Sequence, residues 1–167
     1  MPNFSHRIGK FDKVMLSGFN MGSKLSVKVR DIQIGGGAPV RVQSMLNFDI
    51  SDIDKSLEKI SELKTLGCEL IRVAVPDMNA IGPLKKICNK SPLPVIADVH
   101  FDSEVALKAI EYADKLRINP SNIGNSKGVI KIIEKAKTNG VPIRIGVNTG
   151  SLLKTKNTTP ENTVKKD

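Results

Sequence analysis

The sequence predicts an α/β fold, a TIM-type (β/α)8 barrel that is incomplete, with about five βα units after a short β-hairpin. Short β-branched segments alternate with amphipathic helical segments, which indicates a parallel sheet with right-handed crossovers. The strand segments also alternate aliphatic and polar residues, as in Ala97-Asp98-Val99-His100. Strands of an open, flavodoxin-like sheet are apolar on both faces, so the alternation favours a barrel whose polar residues face the lumen.

The predicted elements follow one another in a regular order. A β-hairpin is expected over residues 25–29 and 32–34, closed by a glycine triplet. Strands are expected over residues 40–45, 70–75, 95–99, 115–119 and 142–147. Helices are expected over residues 52–66, 79–89, 103–113 and 126–139. Ser51 and Asp54 resemble a capping box at the start of the first helix, and Gly67 and Gly140 are placed to end two helices.

The chain divides into two regions at the sequence level. Residues 1–22 carry no clear period and are interpreted as an irregular leader. Residues 23–167 are interpreted as a partial TIM-barrel domain for substrate binding. A whole barrel needs about 250 residues, so strands are expected to be left unpaired.

The charge balance narrows the class of partner. Lysine and arginine number 26 against 17 acidic residues, a net charge of +9, which fits a phosphorylated metabolite, nucleic acid or simply a lysine-rich surface. Aromatic residues make up 4% and tryptophan is absent, which argues against nucleic acid. The apolar runs are too short for a membrane span and the N-terminus lacks the apolar core of a signal peptide. A cytoplasmic protein without membrane contact is therefore expected.

Three arginines mark the most informative positions. Arg72, Arg117 and Arg144 lie on three different predicted strands and are expected to converge on the barrel mouth. Arginine cannot lose its proton there, so such a cluster requires anions, and Asp98 is the acid nearest to it. Planar guanidinium groups bind phosphate oxygens in pairs, which favours a diphosphate ligand. The alternative is a network of arginines with acids from other elements.

Polar residues on the same strand faces extend this candidate site. Asn119 and Asn148 follow their arginines and either bind a ligand or cap loops through Asx-turns. Asp98 and His100 share a face and are candidates for proton transfer or for binding substrate hydroxyls, although a structural histidine is an equal alternative. Two ligands are too few to predict a metal site.

Several motifs occur in a fixed order between residues 25 and 152. They are Ile34-Gly35-Gly36-Gly37-Ala38-Pro39-Val40, Val42-Gln43-Ser44-Met45, Ile71-Arg72-Val73-Ala74-Val75-Pro76-Asp77, Ala97-Asp98-Val99-His100-Phe101-Asp102, Lys115-Leu116-Arg117-Ile118-Asn119-Pro120 and Pro142-Ile143-Arg144-Ile145-Gly146-Val147-Asn148. Together these motifs resemble the 4-hydroxy-3-methylbut-2-enyl diphosphate synthase family. Leu46, Asn47 and Phe48 stand where that family usually has small polar residues.

The resemblance implies an oxidoreductase of isoprenoid biosynthesis that reductively opens a cyclic diphosphate of methylerythritol. It places the three arginines with Asn119 and Asn148 in a diphosphate cradle, and Asp98 and His100 against the carbon skeleton of the substrate. The family uses a [4Fe-4S] cluster held in a C-terminal domain that this sequence does not include, an electron donor such as flavodoxin or ferredoxin, and a homodimer.

Two cysteines, Cys68 and Cys88, are interpreted as buried thiols, and two cannot hold a Cys-ligated cluster. The chain alone is therefore expected to be inactive as a reductase. Two alternatives remain, namely a dihydropteroate-synthase-like barrel enzyme and a truncated product that keeps the fold without the function.

Overall fold

A computed structural model describes residues 23–123 and 126–147. Its main sheet is parallel, and its strands are hydrogen-bonded in the order in which they occur along the chain. A separate antiparallel hairpin is formed by β1 (Ser26–Val29) and β2 (Ile32–Gly35). The sheet strands are β3 (Gln43–Met45), β4 (Leu70–Ala74), β5 (Val95–Val99), β6 (Lys115–Ile118) and β7 (Ile143–Ile145). In a TIM barrel the strands pair in the order in which they occur along the chain, whereas the strand order of a doubly wound sheet reverses partway across the sheet. The predicted fold class is therefore confirmed.

Helices follow four of these strands and cover one face of the sheet. They are α1 (Ile53–Thr65), α2 (Ile81–Lys90), α3 (Ser103–Ala109) and α4 (Ser126–Asn139), with a 3-10 turn at Met78–Ala80 before α2. Gly67 and Gly140 adopt φ values of +92° and +66° just after α1 and α4, as a glycine that ends a helix does. No helix in the described part of the chain is both long and apolar enough to cross a membrane.

The start of α1 differs from the prediction by one residue. Asp52, rather than Ser51, is the N-cap, and its side chain accepts a hydrogen bond from the backbone N–H of Lys55 at 3.1 Å. The positive end of the helix dipole also stabilises a negatively charged carboxylate, so aspartate is at least as suitable an N-cap here as serine. The capping box expected at Ser51 and Asp54 was therefore wrong.

The core lies between the outer face of the sheet and the helices. Ile71, Val73, Val95 and Leu116 on the strands are 0% exposed, as is Ile60 on α1. These aliphatic residues alternate with the polar ones along each strand, which is the pattern that predicted the barrel. Full burial of each such side chain contributes about 1.5–3 kcal/mol to folding.

The polar residues share the opposite, inner face because the strands are in register. Asp98 on β5 lies opposite Ala74 on β4 and opposite Arg117 on β6, and Arg117 lies opposite Arg144 on β7. Paired residues in a parallel sheet point to the same side. The register therefore brings side chains from three neighbouring strands together near their carboxyl ends.

The hairpin closes the opposite, amino-terminal end of this inner face. Val29, Ile32 and Ile34 pack against Leu70 and Ile96, which project from the starts of β4 and β5. This second apolar cluster is separate from the main core. It leaves the carboxyl ends of the strands as the open end of the inner face.

Arg30, in the turn between β1 and β2, fixes the hairpin to the sheet. It adopts a left-handed conformation with φ +52°. Its Nε lies 2.8 Å from Asp114 Oδ1, and its two terminal nitrogens donate to the carbonyls of Ser91 and Cys88 at 3.2 Å. Asp114 in turn accepts from the backbone N–H of Val95 at 2.7 Å. One side chain thus ties the turn to the end of α2 and to the residue that precedes β6.

Several predicted elements are shorter in the structure. The backbone N–H of Val42 donates to the Glu69 carboxylate at 2.9 Å instead of to a neighbouring strand, so β3 begins at Gln43 rather than at residue 40. This contact and the guanidinium of Arg41 lower the pKa of Glu69. After Ala109 the chain continues in turns, with Tyr112 N–H donating to the Ala109 carbonyl at 3.1 Å, so α3 ends before residue 113.

Candidate anion-binding site

Asp98 occupies the centre of the polar cluster on the inner face. Its side chain is 3% exposed near the end of β5. Its Oδ1 lies 3.0 Å from Nη1 of Arg117, and its Oδ2 lies 3.4 Å from Nε of Arg72. Two arginines from the flanking strands therefore share one buried carboxylate, which neutralises only one of their charges.

His100 joins the same cluster from just beyond the end of β5. Its Nε2 lies 2.9 Å from Arg117 Nη1 and 3.2 Å from Asp98 Oδ1. Nε2 can accept from the guanidinium or donate to the carboxylate, according to the tautomer of the ring. The shared face predicted for Asp98 and His100 is confirmed. With 43% of its side chain exposed, His100 is within reach of a ligand.

Arg72 has a second partner that the sequence did not suggest. Its Nε and Nη2 lie 3.1 and 3.0 Å from Sδ of Met45 on β3. A thioether sulfur is a weak acceptor, so these N–H groups are poorly satisfied compared with a contact to an oxyanion. Arg72 is 25% exposed and therefore within reach of a ligand.

Arg144 and Lys115 add further positive charge to the inner face. Arg144 is exposed and lies beside Arg117 in the register. Lys115 precedes Arg117 by two residues on the same face, and burial, followed by the nearby charge of Arg144, lowers its pKa. The described strands thus bring four cationic side chains and one carboxylate to this face. Such an excess of charge suits an anionic ligand.

Asn119 lies immediately after β6 and is 1% exposed. Its Oδ1 accepts a hydrogen bond from the backbone N–H of Ser121 at 3.2 Å, which is the Asx-turn that the sequence offered as an alternative. Its contact with a ligand stays a prediction. Asn148 lies outside the described residues, and so does the predicted leader, residues 1–22.

A cavity of about 700 Å³ adjoins the cluster at the carboxyl ends of β3 and β4. Met45 and Ala74, which belong to the inner face, form the side nearest the arginines. Phe48, Ile50 and Pro76 from the loops after these strands make much of its lining apolar. The charged cluster and an apolar space thus meet at Met45, an arrangement suited to an anion that carries a carbon skeleton.

Three residues of the site were not anticipated from the sequence, namely Met45, Lys115 and Gly146. Lys115 continues the alternation that identified Arg117, so the same reasoning could have found it. Gly146 lies within a predicted strand, where a glycine often marks a close approach of another group to the backbone. No sequence signal distinguishes Met45 from an ordinary core methionine.

The cysteines lie away from this cluster. Both are buried, as predicted. Sγ of Cys68 donates to the Leu70 carbonyl at 3.1 Å, and burial raises the pKa of Cys88 to about 12. Across residues 23–123 and 126–147, no group of three or more His, Cys, Asp or Glu side chains is placed to hold a metal ion.

Solved structures with a similar fold share little sequence with this chain. Dihydropteroate synthase of Yersinia pestis superposes with a TM-score of 0.54 over 72% of this chain and 46% of that one, at 15% identity. Phospho-2-dehydro-3-deoxyheptonate aldolase of Thermotoga maritima superposes with a TM-score of 0.54 over 77% of this chain and 40% of that one, at 17% identity. At these identities the likeness shows the fold alone.

Sequence comparison identifies the family. The family model for the GcpE TIM-barrel domain matches residues 24–166. The 4-hydroxy-3-methylbut-2-en-1-yl diphosphate synthase (flavodoxin) of Caldicellulosiruptor saccharolyticus is 52% identical over 129 residues, 77% of this chain and 37% of that protein. The enzyme of the same name from Natranaerobius thermophilus is 51% identical over 77% of this chain and 36% of that protein. The chain thus spans little more than a third of these relatives, and it belongs to the 4-hydroxy-3-methylbut-2-en-1-yl diphosphate synthase family through its GcpE TIM-barrel domain.

Proposed function

We propose that this chain is the substrate-binding part of a 4-hydroxy-3-methylbut-2-en-1-yl diphosphate synthase. Its substrate would be 2-C-methyl-D-erythritol 2,4-cyclodiphosphate, which the whole enzyme converts reductively to 4-hydroxy-3-methylbut-2-enyl diphosphate. The observation that carries the proposal is the cluster in which Arg72 and Arg117 share the single buried carboxylate of Asp98. The names of the relatives support the choice of this diphosphate among anions.

Arg72, Arg117 and Arg144 would hold the phosphate oxygens, with Asn119 and Asn148 as further polar contacts. The carbon skeleton would extend from the arginines toward Met45 and the adjoining cavity. These roles fit the chemistry of the groups, since a phosphate oxygen is a stronger acceptor for Arg72 than the Met45 sulfur it contacts now.

Asp98 and His100 are the catalytic candidates that would face this skeleton. Asp98 is engaged by two arginines, so its carboxylate would mainly position them. His100 would contact a substrate oxygen with its exposed ring edge, since its Nε2 is engaged by Arg117 and Asp98.

The [4Fe-4S] cluster expected of the family does not fit the described residues. Ligation requires a thiolate, and the pKa of Cys88 is raised to about 12 by its burial. Cys68 is buried and donates its S–H to a backbone carbonyl. Neither cysteine is therefore proposed as a ligand of a cluster. A flavodoxin as electron donor, a homodimer and a cytoplasmic location stay proposals for the whole enzyme.

Titration calorimetry with the cyclic diphosphate tests the proposal directly. We expect saturable binding to this chain that weakens as salt is raised, because arginine–phosphate contacts carry it. Unphosphorylated 2-C-methyl-D-erythritol is the matched control, and it should bind at least 100-fold more weakly, a difference of about 2.7 kcal/mol. A dihydropterin is the second control. Equal binding of the unphosphorylated tetrol or preferential binding of the pterin would contradict the proposal.

We expect this chain by itself to bind the diphosphate without reducing it. The physical reason is that neither cysteine is suited to hold a redox centre. The measurement is product formation by the purified 167-residue chain with dithionite as reductant, followed by chromatography of the diphosphates. Turnover above that of dithionite alone would show this expectation to be wrong.

A further inference from the structure

Gly146 lies directly after β7, against the side chain of Arg117. Its backbone N–H donates to the carbonyl of Ile118 at 2.8 Å, which continues the pairing of β6 with β7 for one more residue. Arg117 itself is 15% exposed and is held at Nη1 by Asp98 and His100. The guanidinium is thus fixed at one end by the carboxylate and bordered at the other by the backbone of β7.

Glycine is not required at this position by the backbone. Gly35, Gly36, Gly37, Gly67 and Gly140 have positive φ values, whereas Gly146 does not. The reason for glycine is therefore the space that a side chain would occupy. A Cβ at residue 146 would lie 2.6 Å from Nε, 2.7 Å from Nη2 and 3.0 Å from Cζ of Arg117.

These distances are shorter than non-bonded contacts allow, so one of the two groups would have to move. The backbone of residue 146 is tied to β6, and the guanidinium is the end of a flexible side chain. Arg117 would therefore be displaced. Nε and Nη2 would have to move by several tenths of an ångström to reach an ordinary contact distance of about 3.4 Å, and this shift would lengthen and weaken the 3.0 Å contact between Nη1 and Asp98 Oδ1.

We propose that Gly146 is a positioning residue, which sets the guanidinium of Arg117 at the distance from β7 that Asp98 and an incoming phosphate both require. The ligand part of this inference rests on the proposed function. The part that concerns Arg117 and Asp98 stands on the geometry alone, and the two parts are tested by separate measurements.

The test is a double-mutant cycle of Gly146→Ala with Arg117→Ala, measured by thermal unfolding of the whole chain. In the wild-type background, Gly146→Ala should lower the melting temperature by on the order of 4 °C. In the Arg117→Ala background the same methyl group meets no guanidinium and should change the melting temperature by less than about 1 °C. The matched control is the cycle with Lys64→Ala on α1, which should be additive because Lys64 lies outside the cluster that contains Arg117.

If Gly146→Ala lowered the melting temperature equally in the wild-type and Arg117→Ala backgrounds, the proposal would be overturned, because the methyl group would then disturb a group other than the guanidinium. If Gly146→Ala fails to fold while the double variant folds, the proposal is supported, and if both fail it is overturned. A second measurement uses inorganic pyrophosphate, whose affinity should fall about tenfold in Gly146→Ala. Absence of pyrophosphate binding by the wild type would contradict the proposed function, and the stability cycle would still decide the role of Gly146.

Discussion

Replacing Asp98 with asparagine should lower the free energy of unfolding by about 2–3 kcal/mol. The change removes the one carboxylate between Arg72, Arg117 and His100 while keeping the shape of the side chain. The arginines then repel each other without a counter-charge in a site that is only partly open to water. Because both guanidinium groups keep some exposure, we expect less than the full cost of breaking a fully buried ion pair.

Urea denaturation measures this loss, and pyrophosphate identifies its cause. An anion that binds among the arginines replaces the missing charge, so pyrophosphate should stabilise Asp98→Asn more than the wild type. Asp54→Asn on the exposed first turn of α1 is the matched control and should cost at most about 0.5 kcal/mol. If the two variants lost similar amounts of unfolding free energy, Asp98 would not be the residue that holds Arg72, Arg117 and His100 together.

Arg117→Ala should weaken binding of the cyclic diphosphate about 100-fold, or about 2.7 kcal/mol. Arg117 has the closest contact with Asp98 and lies opposite Arg144 in the register, so it is central among the cations. Arg117→Lys should recover only part of the affinity, since an ammonium group cannot reach Asp98 and a phosphate with a planar fork. Calorimetric titration measures each dissociation constant, and circular dichroism verifies that each variant is folded.

The control for this prediction removes one positive charge elsewhere. Lys64 is exposed in the last turn of α1, and Lys64→Ala should change the affinity by less than about twofold at physiological salt, where distant charges are screened. If both variants lose the same affinity, the ligand responds to the net charge of the protein, and the proposed cradle is wrong.

The strand faces, and hence the centre of the site, could be predicted from the sequence. Alternation along a strand has a period of two, so Asp98 and His100 had to share one face, and Arg117 had to lie on the inner face of the next strand. The structure adds that they touch. The sequence could not supply this contact because the register between strands depends on the packing of the whole sheet.

Other features depend on tertiary contacts that leave no local pattern. Arg144 is exposed on β7, the edge strand of the described sheet, which has three residues in the structure against the six expected. The start of β3 is set by the side chain of Glu69, which is distant in sequence from Val42. Gly146 carried a recognisable signal, but only the position of Arg117 explains it.

The attachment of the hairpin constrains the order in which the chain can fold. β1 and β2 are made before the other described elements, yet Arg30 bonds to Asp114, which is 84 residues further along the chain. At roughly 5–20 residues per second, synthesis of the intervening segment takes on the order of 4–17 s. From β4 onward, each parallel strand pairs in contrast with the strand that precedes it along the chain. The hairpin thus leaves the ribosome before the other described elements but cannot complete its attachment until residue 114 is made, and Val29, Ile32 and Ile34 lack their native contacts during the interval.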